Sequence, residues 1–441
     1  MYFKALTPRL ALCLALLGLT FACGDASEEH ANDDPASASD PCDPTDTSDG
    51  SDPSAPSTTS SFSPNDLLHH VGHEIILPTY AAFETAANEL VTSLDAYLTD
   101  LELDNDTVDS LAQARTTWSS TMIIWQQAEV YQVGPSASRQ ALELAVGAMG
   151  LRNEIYSWPT VNSCRVDQEI LEAAYANTDF FDQELTNVYG LDAAEYLLFY
   201  HEADNTCPPL VPINSQGTWN QVSQEDLQQK RAEYVHAVAT NIHDRAIELH
   251  NAWKPNSGNF VNDFAAAGQP GSLYATTEEA LNDLSDALFY VEKDVKDFKL
   301  AKPAGILGCQ NVSCPNDVEA RFSRVSKENI IANLEAAQKL FLGAAPGEDA
   351  PGFDDFLREK DPSDIADTMG QNLEEAIRAA KEMDGTLYEA AQALTREECE
   401  AGNDPICNTY YTLKNFTDDL KTRFVEVLEL QLPLEASGDA D

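Results

Sequence analysis

Positive charge is what this chain of 441 residues has least of: 26 Lys and Arg stand against 74 Asp and Glu. Without a basic patch to neutralise phosphates, nucleic acid is excluded as a partner. An acidic surface instead attracts cations, aids solubility and suits a salty habitat. Alternating Val/Ile runs are scarce, which argues against a sheet. Past Phe21 no apolar run is long enough to span a bilayer. No Cys-x-x-Cys pair occurs, so a cysteine zinc site is not indicated. No Gly-x-Ser-x-Gly elbow appears. The zinc-protease pattern His-Glu-x-x-His is also missing: Leu77 stands where His73-Glu74 needs its second histidine, and His201-Glu202 fails the same test. Nucleophilic catalysis has little support, and Ser323 has no assignable histidine partner.

The N-terminus reads as an export signal over residues 1–22. Lys4 and Arg9 precede an apolar core from Leu10 to Phe21, and Ala22 offers a small residue at the cut. Cys23 directly after it looks like a lipidated first residue, which would anchor the chain to an envelope membrane, with ordinary cleavage and secretion as the alternative. Residues 23–62 are rich in Ser, Asp, Pro and Thr and hold no Lys or Arg. Such a segment cannot bury enough apolar surface to offset its ordering entropy, so it reads as a disordered acidic tether. Nine cysteines occur. Outside the cytoplasm disulfides are the default. Close spacing suggests Cys309–Cys314 and Cys399–Cys407, leaving Cys164–Cys207 as the third pair and Cys42 in the tether unassigned.

From Asn65 onward apolar residues recur at three- and four-residue intervals, the helical period. The spacing predicts helices over Leu67–Leu98 with a kink at Pro78, Thr107–Gln132, Ser138–Gly150, Val166–Ala176, Phe180–Val188, from about Leu191, and Gln224–Trp253. Residues 254–275 hold Pro255, Gly258, Gly268, Pro270 and Gly271 and read as a loop between domains. Further helices are expected over Thr277–Phe298, Asp317–Gly343, Pro362–Met383, Thr386–Ala401 and Ile406–Leu430. The expected fold class is all-α, with two antiparallel helical-bundle domains over residues 63–255 and 256–432 and a disordered tail over 433–441.

The most informative stretch is Gly190 to Phe199, where Asp192 and Glu195 share one face at the start of an apolar helix. Buried carboxylates need hydrogen bonds, protons, ion pairs or a metal. The plainer reading is a helix cap. His69, His70, His73 and Glu74 offer metal-compatible i,i+4 pairs, but a solvated first turn is the expected role. His201 and Glu202 could border a site or cap the helix end.

Trp125-Gln126-Gln127-Ala128-Glu129 with Gly134-Pro135, Ser157-Trp158-Pro159, Gly190 to Phe199, Lys302 to Leu307, Glu319 to Ser323, and Asn329 to Leu334 together resemble the imelysin family in order and spacing, over about residues 65–430. The resemblance implies a two-domain helical fold and placement in the periplasm or outer membrane. It also implies a link to iron acquisition, with an outer-membrane iron transporter as a possible partner. The family signature is Gly-x-His-x-x-Glu; here Gly190 and Glu195 match and Asp192 replaces the histidine. An Asp/Glu pair favours iron or another hard cation. Two ligands are not a site, and Glu129 is the first candidate for a third; its structural alternative is an ion pair with Arg115 or Arg152. Three functions are then open: an envelope lipoprotein that binds iron or an iron-bearing ligand or partner, a metal-dependent peptidase as the family's older label suggests, or a non-catalytic interaction bundle.

Overall fold

The computed structural model describes residues 62–137, 145–434 and 436. The signal, Cys23, Cys42, most of the tether and the first part of the helix expected over Ser138–Gly150 lie outside the described residues; residues 145–150 are turn and coil. Among the described residues every regular element is a helix. The first set is α1 (Pro64–His70), α2 (Leu77–Glu102), α3 (Val108–Val130), α4 (Leu151–Ile155), α5 (Ser163–Glu172), α6 (Phe180–Gln183), α7 (Leu191–Phe199), α8 (Pro212–Ser215), α9 (Gln224–Trp253) and α10 (Phe260–Ala265). The second is α11 (Thr277–Leu288), a π-helix (Val291–Ala301), α12 (Ser326–Leu342), α13 (Phe353–Lys360), α14 (Ile365–Glu382), α15 (Leu387–Ala393), α16 (Arg396–Glu400), α17 (Pro405–Asp419) and α18 (Val425–Leu428).

Caps set many of these starts. Ser63, Ser223 and Thr276 each accept a backbone N–H from the first turn they precede, and Thr386 with Glu389 completes a capping box. At Pro78 the helical run changes its winding. The proline ring removes an N–H and crowds the preceding turn, and Val71–Ile76 relaxes into a π-helix there.

α2, α3 and α9 form the frame of the first set. The pairs Tyr80–Trp253, Glu84–His250, Asp95–His236 and Tyr97–Gln228 run up one helix and down the other, so α2 and α9 are antiparallel. Phe83–Trp125 and the Thr121 bond to the Ala86 carbonyl show the same for α2 and α3. Trp118, Trp125 and Trp253 are fully buried in this core. In the second set α14 packs on α17 and α12, and α12 also packs on α3. That last contact joins the two helical sets into one continuous core.

Several elements differ from the periodicity, among them the helices expected over Phe180–Val188 and Thr386–Ala401, which stop at Gln183 and break after Ala393. The linker over 254–275 carries α10, whose Phe260 and Phe264 meet Trp253 edge to face. α13 was not expected. α12 begins at Ser326 rather than near Asp317, because residues 319–323 are spent on polar contacts with the first set instead of on helix. The three disulfides form with the expected pairing, Cys164–Cys207, Cys309–Cys314 and Cys399–Cys407.

Candidate functional site

Gly190 sets the geometry. As the N-cap of α7 it sits at φ +100°, a region closed to L side chains, and a Cβ there would lie 3.0 Å from the Ile155 carbonyl oxygen. The turn it permits brings the first turn of α7 against the segment after α4. Trp118 fixes that turn from α3, its indole N–H donating to the Leu191 carbonyl at 2.9 Å.

Asp192 and Glu195 both lie inside, about 5 % exposed at most. Asp192 accepts the Ser157 hydroxyl at 3.1 Å and the Ala193 N–H at 3.0 Å. The side chain therefore works in the helix's first turn, as the cap reading expected, but the N-cap itself is Gly190. Glu195 Oε1 accepts three donors from the second helical set: the N–H of Phe322 at 2.9 Å, the N–H of Ser323 at 2.8 Å and the Ser323 hydroxyl at 2.7 Å. Burial pushes both carboxyls up to about 7, against the pull of those hydrogen bonds, and the charge of Asp192 adds to the rise at Glu195. Among the described residues neither carboxylate has an ion-pair partner.

Beside this pair lies a largely buried charge cluster. Glu129 is held by Arg152 through Nε at 2.9 Å and Nη2 at 2.6 Å, so of its two readings the ion pair is the one seen, and with Arg152 rather than Arg115. Lys299, from the π-helix, buries its ammonium at the centre. It reaches Glu319 Oε1 at 2.7 Å, Gln126 at 2.6 Å and Asn333 at 2.9 Å, with Glu129 Oε2 at 3.8 Å. The Tyr156 hydroxyl donates to Glu319 at 2.7 Å and Asn329 donates to its other oxygen at 2.9 Å. Burial, then the charge of Glu319, drives the Tyr156 phenol well above its ordinary range, so it remains a donor. The Lys299 ammonium also lies 5.5 Å from the centre of the Trp158 ring, beside the cis Trp158–Pro159 peptide.

Arg152 and Trp158 also face a cleft of about 580 Å³. Its walls carry Glu278, Glu279, Asp283, Glu292 and Asp294.

The sequence segments that were far apart thus meet at one seam. Gln126 and Glu129, Ser157 and Trp158, Asp192 and Glu195, Glu319 to Ser323, and Asn329 and Asn333 all lie in it. Glu129 does not join Asp192 and Glu195 as a third ligand, since its charge is spent on Arg152 and Lys299. Among the described residues no three His, Cys, Asp or Glu side chains are grouped to hold a metal ion. In the histidine cluster His69 and Glu74 are exposed, as a solvated turn expects, while His69 and His73 stack and His70 reaches the Gly343 carbonyl of the second set at 2.7 Å. Lys299 and Tyr156 were missed. The one available signal for Lys299 is its position eight and four residues after Val291 and Val295, on their apolar stripe.

The model of the Imelysin family matches residues 76–414, most of the chain and all of the seam. This chain belongs to the Imelysin family. Two solved structures share the fold. The iron-regulated protein A precursor from Parabacteroides distasonis is 16 % identical at a TM-score of 0.56, covering 83 % of this chain and 94 % of its own. An imelysin-like protein from Psychrobacter arcticum is 15 % identical at a TM-score of 0.58, covering 83 % and 96 %. No curated protein matches the chain.

Proposed function

We propose that this imelysin is an envelope lipoprotein that binds iron, or an iron-bearing ligand or partner, at the seam between its helical sets. The observation that carries the reading is the uncompensated pair Asp192 and Glu195. Two buried carboxyls held near 7, with no cation paired to them, gain most from an added positive charge. Their neighbours are the hydroxyls of Ser157 and Ser323, so the available donors are all oxygen, the set a hard cation prefers. Iron here is cargo, and the acidic cleft faced by Arg152 and Trp158 would concentrate cations beside it. The iron-regulated relative supports the same direction. The same reading takes lipidated Cys23 as the anchor and an outer-membrane transporter as the recipient.

Metal analysis of the purified protein followed by ferric-citrate titration tests this. The expected result is stoichiometric iron that is lost in the double variant Asp192→Asn, Glu195→Gln with helical content unchanged. Parent protein that takes up no iron, or variants that bind it equally, would sink the reading. Metal-stimulated cleavage of casein that disappears in the double variant would point to the peptidase instead.

A further inference from the structure

A second site lies at the other end of α7, away from the seam's carboxylates. A cavity of about 200 Å³ is lined there by Tyr97, Leu198, His201, Glu202, Gln228 and Arg231, among others. Arg231, on α9, is 5 % exposed and is one of the residues that line this cavity. One of its nitrogens, Nη1, donates to the Glu202 carbonyl at 3.3 Å. Its Nε and Nη2 are buried and meet no acceptor. The ring of Tyr200 supports the guanidinium from one face, 5.6 Å away.

An unmatched buried guanidinium is costly anywhere. In a chain with nearly three acids per base it is also unexpected, because a carboxylate could have been placed against it. One buried carboxylate, Asp167, is close enough to feel the charge of Arg231, but its oxygens are taken by Tyr196 and Thr206. Arg115 adds a second guanidinium. It spends Nε on the Leu198 carbonyl at 2.9 Å, packs over Phe199 and has no acidic partner among the described residues. Capping the Leu198 carbonyl at the end of α7 and holding the Glu202 carbonyl in the loop after it explain those two bonds. It does not explain the two free donors of Arg231. His201 feels both arginines, and burial and their charges hold its ring neutral at ordinary pH. The Tyr97 hydroxyl accepts from Gln228 at 3.1 Å, which leaves its own proton to give.

We propose that this cavity binds a small oxyanion, a carboxylate or phosphate group, paired through the two free nitrogens of Arg231. A guanidinium edge carrying Nε and Nη2 matches two oxygens of such a group side by side. Arg115 supplies the second positive charge and Tyr97 a hydroxyl donor. The exposed Glu202 carboxylate on the rim opposes multiply charged anions. The site stands apart from the iron reading and does not depend on it.

The test is calorimetric titration of the purified full chain with sodium phosphate and, separately, sodium acetate, against sodium chloride at matched ionic strength. The expected result is one saturable site for at least one oxyanion. Saturation by phosphate alone or by acetate alone identifies the source. Arg231→Gln is expected to weaken binding about tenfold or more, one ion-pair's worth of affinity, and Glu202→Gln to tighten it. Should Arg231→Gln fail to fold, Arg115→Gln and Tyr97→Phe carry the test through severalfold losses, with circular dichroism as the control. Heats no larger than those of chloride, or equal affinity across the folded variants, would overturn the proposal.

Discussion

Asp192 and Glu195 carry the seam's chemistry because they are acids kept short of positive charge. Their folded carboxyls sit near 7, above the ordinary carboxylate range. Between that range and about pH 7 the folded chain holds more protons at these sites than the unfolded chain does. Their contribution to stability is therefore fully present at acid pH, is lost as pH rises through that window, and remains a constant penalty above it. The double variant Asp192→Asn, Glu195→Gln keeps the shapes and removes the titration. Calorimetric melts from pH 5 to pH 8.5 should show the variant gaining on the parent as pH rises; parallel curves would mean that the carboxyls are ionised throughout. Lys299 is the converse case, a buried cation fully surrounded by acceptors. Removing one partner of such a cluster leaves a charge stranded, so Lys299→Met should cost about 3–5 kcal/mol. Adding Glu319→Gln should restore part of that loss in urea unfolding. Additive losses would show that the two groups are not coupled.

At the scale of elements, how legible each part was follows from whether its cause is local. α9 is read correctly at both ends because Ser223 caps its start and Pro255 follows its end. The disulfide pairing follows from short separations and elimination. The start of α12 fails because residues 319–323 obey Glu195, which is over a hundred positions away. No periodicity records that the N–H groups of Phe322 and Ser323 are committed to a carboxylate on another helix. Lys299 fails for a related reason: its neighbours Lys293, Lys296 and Lys302 make the stretch look solvated, and only tertiary packing turns that face inward. The motif glycine lies between these cases. Its presence was plain and its reason was not. Gly190→Ala would force a Cβ into a conformation open to little but glycine, at about 1–3 kcal/mol, and against the Ile155 carbonyl as well. The expected signature is a destabilised fold in which the fluorescence of Trp118 also shifts, since its indole reports on the same turn. Wild-type stability in this variant would remove the conformational argument for the motif.

For the whole molecule, the distribution of charge matters more than its sum. The formal charge is −48, yet several of its few cations are invested in the interior. Arg152, Lys296 and Lys299 satisfy buried acids, and Arg231 is buried without one. Cations placed inside cannot offset acids outside, so the surface must repel itself, and that repulsion disfavours the compact state. Salt acts on the two populations differently. Raising NaCl from about 0.01 M to about 1 M shortens the screening length from about 30 Å to about 3 Å. Repulsion between exposed acids collapses over that range, while the pairs around Lys299 stay unscreened because no ion reaches them. Melting temperature should therefore climb with salt and then level off, and the step lost on making Lys299→Met should be the same at both ends of the range. A melting temperature that falls with salt would mean that exposed ion pairs, such as those of Arg358 and Arg378, outweigh the repulsion, and that the surface is better balanced than its composition implies.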